Sequence, residues 1–132
     1  MLEQDVIQAK GFKNVGEPTP SGFQVAVRSP YYRGLWVSLL EGAEVVVDGE
    51  HFGPDSVEWQ IGDRTYANAE LATASDDRWP FEEPATLTVD RPGGLDGGLH
   101  DVEVSITWRW SYIPVEFQPA TSISRRTLVL VA

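Results

Sequence analysis

Residues 102–110 alternate without a break. Val102, Val104, Ile106, Trp108 and Trp110 share one parity, and Glu103, Ser105, Thr107 and Arg109 share the other. A strand sends successive side chains to opposite faces, so this pattern predicts one buried and one wet face. A helix would scatter the five apolar residues around its circumference. Nine residues at roughly 3.4 Å each reach about 30 Å, longer than a usual strand. A strand that long, with two inward tryptophans, needs a second apolar layer to cover it. The stretch reads as a central strand of a two-layer β structure.

The rest of the chain repeats the signal in shorter units. Residues 1–20 lack clean periodicity and end in Gly16-Glu17-Pro18-Thr19-Pro20, which predicts an extended lead-in packed on the body through Phe12. Phe23, Val25 and Val27 alternate with polar or small residues until Ser29-Pro30 interrupts, because proline has no N–H for a ladder. Strands are expected over 35–40 and 44–47, separated by a Glu41-Gly42 turn. Asp48-Gly49 is a type I′ hairpin signal leading into 50–52. Val57, Trp59 and Ile61 alternate, and Gly62-Asp63 turns the chain into 64–66. Residues 67–83 are expected to hold a helical turn near 68–74 and a loop over 76–80. Strands follow at 85–89 and 127–131. Many short strands between Gly, Pro and Asp turns predict an all-β fold. The expected architecture is an antiparallel two-sheet sandwich of the immunoglobulin or fibronectin kind, with residues 21–132 as its single domain.

Composition narrows the possible functions. The chain has 132 residues, enough for an unaided core, and no cysteine, which excludes disulfides and thiolate metal sites. Its net charge of −10 argues against nucleic acid, where clustered Lys and Arg must displace counterions. Arg125-Arg126 is the lone basic doublet and reads as a solvated strand face. The first ten residues carry charges where a signal peptide needs an apolar run, and nothing approaches a membrane span. A cytoplasmic protein without membrane contact is expected.

Candidate chemistry is sparse. His51 and His100 belong to no metal-ligand motif, and His100 reads as a structural histidine at the sandwich rim. Asp76-Asp77 and Glu82-Glu83 are neighbours on a loop, without the opposed geometry of a glycosidase pair, and read as acidic surface. The glycines of 93–98 precede a strand rather than a helix, so they are turn chemistry, not a phosphate cradle. The aromatics say more. Trp36 has the opposite parity to its apolar neighbours, and Pro30-Tyr31-Tyr32-Arg33-Gly34 gathers two tyrosines and an arginine on one connection. Such stiff, amphipathic residues serve structural corners, protein interfaces or sugar-stacking platforms.

One ordered set of residues resembles a known family. Gly11-Phe12-Lys13-Asn14, Gly22-Phe23-Gln24, Arg28-Ser29-Pro30-Tyr31-Tyr32-Arg33-Gly34, Val47-Asp48-Gly49-Glu50, Pro92-Gly93-Gly94-Leu95-Asp96-Gly97-Gly98-Leu99-His100 and Ser111-Tyr112-Ile113-Pro114 are similar to the small (β) subunit of bacterial C-glycoside deglycosidases. The resemblance implies a lyase complex in the catabolism of flavonoid-type C-glycosides. A TIM-barrel α-subunit would hold a divalent metal of the Mn or Mg type and the acid/base residues. It would cleave the carbon–carbon bond between an aromatic aglycone and a 3-oxo sugar. The 3-keto group acidifies the C2 proton, so base-assisted elimination can expel an aglycone that has no protonatable leaving oxygen. This chain would supply no catalytic residue, metal ligand or cofactor. Its expected role is to stabilise the α-subunit and help wall its active site. The candidate interface or substrate-adjacent residues are Pro30, Tyr31, Tyr32, Arg33, Trp110 and Tyr112. The alternative is a free-standing carbohydrate- or aglycone-binding module with Trp36 and the tyrosines as platform.

Overall fold

The computed structural model describes residues 6–31, 33–109 and 119–131. In chain order the first strands are β1 (Lys13–Val15), β2 (Gly22–Val27), β3 (Leu35–Trp36), β4 (Leu40–Val47), β5 (Glu50–Phe52) and β6 (Val57–Ile61). They are followed by β7 (Arg64–Ala67), β8 (Arg78–Trp79), β9 (Ala85–Asp90), β10 (Gly98–Trp108) and β11 (Ala120–Leu130). One sheet has the order β1-β2-β9-β6-β7 and the other β11-β10-β4-β5, and β3 and β8 form a separate two-stranded ribbon. All these pairings are antiparallel. The fold is an all-β sandwich.

The core lies between the two sheets. Phe23, Val25, Val27, Trp59, Leu87 and Val89 of the first sheet and Val102, Val104 and Ile106 of the second are buried in one cluster. Each apolar side chain of this size contributes about 1.5–3 kcal/mol by leaving water. The expected inward parity of the long strand holds from Val102 to Trp108, and β10 lies between β4 and β11 as a central strand. It begins four residues earlier than its alternation indicates, because Gly98–Asp101 pair with the end of β11. Trp110 lies outside the described residues. Phe12 is buried, and within the lead-in Lys13–Val15 add an edge strand beside β2.

Four local expectations are corrected. Residues 35–40 are not one strand: after the two residues of β3, Val37–Leu39 form a 3-10 turn. There the Val37 N–H goes to the Asp77 carbonyl instead of a sheet neighbour. Glu41-Gly42 is not a turn but the interior of β4. Thr107 faces Gly42 while Trp108 faces Leu40, so Glu41 is an extra, bulged residue. The bulge lets Leu40 and Ala43, of opposite parity, both point into the core. Arg78-Trp79, expected as loop, pairs with Leu35-Trp36, and β11 starts at Ala120, well before residue 127.

Other turns form as expected. Asp48 and Gly49 both have positive φ, 50° and 88°, as a type I′ hairpin requires. Asn68–Thr73 form a 3-10 helix within 67–83. In the basic doublet Arg125 is exposed, but Arg126 is half-buried and donates to the Ile7 carbonyl at 2.9 Å. Among the described residues no helix is long and apolar enough to cross a membrane.

Candidate functional site

The end of the sandwich beyond β2 collects the aromatic and basic residues. The Ser29 hydroxyl donates to the Tyr31 carbonyl at 3.0 Å, and the same carbonyl takes the Gly34 N–H at 2.8 Å. These bonds tie Ser29, Tyr31 and Gly34 closely together. Pro30 and Tyr31 are half-buried, with Tyr31 packed against the core, and Arg33 is exposed. Tyr32, Trp110 and Tyr112 lie outside the described residues. Gly34 has φ +75°, and a Cβ there would come within 2.7 Å of the Trp79 carbonyl oxygen. The connection therefore passes against β8 without a side chain between them.

The ribbon projects from this connection. Trp36 and Arg78 are direct cross-strand partners, and the Arg78 guanidinium carbon lies 4.9 Å from the Trp36 ring centroid. Arg78 also donates from Nη2 to the Arg33 carbonyl at 2.6 Å. Trp36 is 40% exposed, in line with its odd parity in the sequence. Nearby, Arg28 lies over the Phe81 ring at 5.3 Å. Beneath the ribbon Trp79 is fully buried edge-on to Trp59, and its indole N–H donates to the Glu83 carbonyl at 2.8 Å.

Asp77 anchors the ribbon from behind, a role that the adjacent-carboxylate reading missed. Its two carboxylate oxygens accept from Tyr66 Oη and Arg64 Nη1. The Tyr66 hydroxyl first, and then the Arg64 guanidinium, hold Asp77 below the usual carboxylate range against the opposing effect of desolvation. Burial first, and then Asp77, push Tyr66 up. Tyr66 faces inward on β7 as Trp59 does on β6, and that shared parity was the available signal. Glu82 and Glu83 remain exposed.

His100 sits at the opposite rim. Nδ1 lies 2.6 Å from Asp48 Oδ2 and Nε2 lies 2.6 Å from the Asp96 carbonyl. Both neighbours accept, so the ring satisfies both only as imidazolium. Burial opposes that charge, but the Asp96 carbonyl and then the Asp48 carboxylate outweigh it and raise the pKa. A groove of about 320 Å³ opens here between Asp48, Glu50, Arg91, Leu95 and His100. Arg91 crosses it to Glu50 at 3.1 Å. His51 is exposed on β5, away from this cluster. Among the described residues no group of three or more His, Asp or Glu is placed to hold a metal ion.

The model of a protein family described as the C-glycoside deglycosidase beta subunit matches residues 2–112. The chain belongs to this family. It is 34% identical over 130 residues to a C-glycoside deglycosidase beta subunit of Eubacterium cellulosolvens, covering 97% of this chain and 88% of that protein. It is 36% identical over 100 residues to a 3'-dehydrocarminate deglycosidase beta subunit of a Microbacterium species, covering 75% of this chain and 74% of that one. A C-glycoside deglycosidase beta subunit of Arthrobacter globiformis is 34% identical over 89 residues, 67% of this chain and 68% of its own.

Several of the chain's distinctive motifs hold one another. Asn14 Oδ1 accepts the Leu95 N–H and its Nδ2 donates to the Leu95 carbonyl, both at 2.8 Å, so the Gly11–Asn14 stretch clamps the glycine-rich connection. Asp48 of the hairpin motif meets His100 at the end of that same connection. These motifs serve the fold at one end. The Pro30–Gly34 motif stands at the other.

Proposed function

We propose that this chain is the non-catalytic accessory subunit of a carbon–carbon lyase complex acting on 3-oxo-C-glycosides. A TIM-barrel α-subunit carries the base and the divalent metal, of the Mn or Mg type, and the chain stabilises that subunit and helps wall its active site. The family match over residues 2–112 carries the reading. The chemistry of the described residues supports it. Asp77 and the rim histidine are each engaged in hydrogen bonds within the fold. Pro30, Tyr31, Tyr32, Arg33, Trp110 and Tyr112 are the proposed interface or substrate-adjacent residues. The complex is proposed to be cytoplasmic.

Co-expression with the candidate α-subunit, followed by size-exclusion chromatography and an assay on 3-oxo-C-glucosides, tests the reading. The expected result is a stable complex whose activity requires both chains. A partner fully active and stable alone would leave this chain without the proposed role. Calorimetric binding of C-glycosides to the full chain by itself would favour the carbohydrate-module alternative, for which the exposed Trp36 is the structural argument.

A further inference from the structure

We infer that Trp36 and Arg78 form the anchor by which this chain seats on its partner subunit, with Arg78 receiving a carboxylate of that subunit. The inference rests on the accessory-subunit reading and assigns it a site. Three observations carry it. First, the pair is built in advance. The ribbon register sets Trp36 directly opposite Arg78, the guanidinium lies over the indole, and Nη2 is tied to the Arg33 carbonyl. The rotamer freedom that an arginine normally loses on binding is already restricted.

Second, the anchor is incomplete within the chain. Arg64 pairs with Asp77 and Arg91 with Glu50, but among the described residues no carboxylate reaches Arg78. Its Nε and Nη1 donors find no acceptor there, on a side chain that is exposed in a chain of net charge −10. The planar fork of arginine fits a carboxylate in two-point contact, and stacking on an aromatic face leaves that edge open. Trp and Arg are also the residue types that dominate binding energy at the centres of interfaces.

Third, the ribbon is braced. Asp77, adjacent to Arg78, takes Tyr66 and Arg64 on its side chain, and its carbonyl accepts the Val37 N–H at 2.9 Å. Val37 and Asp77 flank Trp36 and Arg78, so both bases of the pair are fixed to the body. The ribbon is continuous with the Pro30–Arg33 connection through the Arg33 carbonyl. Among the other exposed large apolar residues, Ile123, Val129 and Leu99 lie on the outer face of β10 and β11 and Val131 follows the end of β11, none of them on the ribbon.

The test measures the dissociation constant of the full chain for its partner subunit at low and high salt. Trp36→Gln and Arg78→Glu are each expected to weaken binding at least about tenfold, the effect of losing a central anchor. Arg78→Lys is expected to fall between, because it keeps charge without the fork. Wild-type binding should weaken with salt, and Arg78→Glu should abolish that dependence. Ile123→Ser serves as the control and should bind as wild type. Near-UV circular dichroism checks the fold, and the surface change Arg78→Glu carries the test should Trp36→Gln misfold. Binding of both variants within about twofold of wild type would overturn the anchor while leaving the subunit role intact. Loss of binding in Ile123→Ser instead would move the interface to the β10–β11 face and also overturn it. Failure of the wild-type chain to bind would remove the subunit role and the anchor together.

Discussion

His100 and Asp48 meet across the start of β10, Nδ1 to Oδ2 at 2.6 Å, and so tie the glycine-rich connection to the β4–β5 hairpin. Asp48 also accepts the Asp101 N–H at 2.8 Å, so one carboxylate fixes the hairpin to the strand through two donors. The Asp101 N–H first, and then His100, lower the Asp48 pKa.

The pair makes stability depend on pH in two directions. His100 is raised in the folded state, so its contribution is complete below the ordinary histidine pKa and is lost as pH rises through the raised value. Asp48 is lowered, so its contribution holds above the ordinary carboxylate pKa and is lost as pH falls through the lowered value. Urea midpoints from about pH 5 to about pH 8.5, a span bracketing the ordinary histidine pKa, should fall for the wild type. They should stay flatter for His100→Asn. Glu50 and Arg91 line the same groove and pair with each other at 3.1 Å. Parallel slopes for the two proteins would show that the clamp does not titrate as described.

Tyr66→Phe should destabilise the chain more than Arg64→Ala does. Tyr66 is buried and donates to an ionised carboxylate, a bond worth about 1.5–3 kcal/mol. Arg64 meets the same carboxylate with a side chain 64% exposed, where solvent screens the interaction. Thermal midpoints of the two variants decide the order. An equal or larger loss in Arg64→Ala would place the weight of the brace on the ion pair.

Gly34→Ala and Gly49→Ala separate backbone conformation from contact. Both glycines have positive φ, which costs an L-residue about 1–2 kcal/mol. A Cβ at Gly49 meets nothing within 4 Å, so that cost is all that Gly49→Ala should incur. At Gly34 the Cβ would lie 2.7 Å from the Trp79 carbonyl oxygen and 3.2 Å from Pro80 Cα, both backbone atoms that yield only if the ribbon moves. Gly34→Ala should therefore cost more than Gly49→Ala in urea unfolding and should also disturb the near-UV signal of Trp79.

Strand parity was legible in the sequence wherever one face is buried against the other sheet. Phe23-Val25-Val27, Val57-Trp59-Ile61 and Val102 to Trp108 show their faces directly, because a slip of one residue would expose each set. The Glu41-Gly42 bulge was not legible. Glycine after a polar residue signals a turn and a bulge equally, and only the register, in which Thr107 faces Gly42 but Trp108 faces Leu40, distinguishes them. At Gly42 a Cβ would lie 2.5 Å from Asn68 Oδ1, a neighbour that residue spacing does not reveal. The ribbon was hidden for a similar reason. Two-residue strands have no period, and the parts that brace β8 come from Tyr66 and Val37, far apart in the chain. The odd parity of Trp36 was visible, whereas its partner Arg78 was not.

Ile106 and Ile123 lie on adjacent strands one residue out of register, Ile106 opposite Ser122 and Ser105 opposite Ile123. They therefore point to opposite faces of one sheet. Ile106 is fully buried on the central strand, and Ile106→Ala should cost about 2–5 kcal/mol through lost transfer energy and the cavity left behind. Ile123 is 67% exposed, and Ile123→Ser in the chain alone should stay within about 0.5 kcal/mol of wild type. Urea unfolding with an unchanged m-value measures both, since a constant slope keeps the comparison within one pair of states. Comparable losses would mean that β11 is buried on both faces or paired one residue away from the register described. A large loss in Ile106→Ala alone fits a sheet that packs on one side only, and leaves its outer face free of any part in folding the chain.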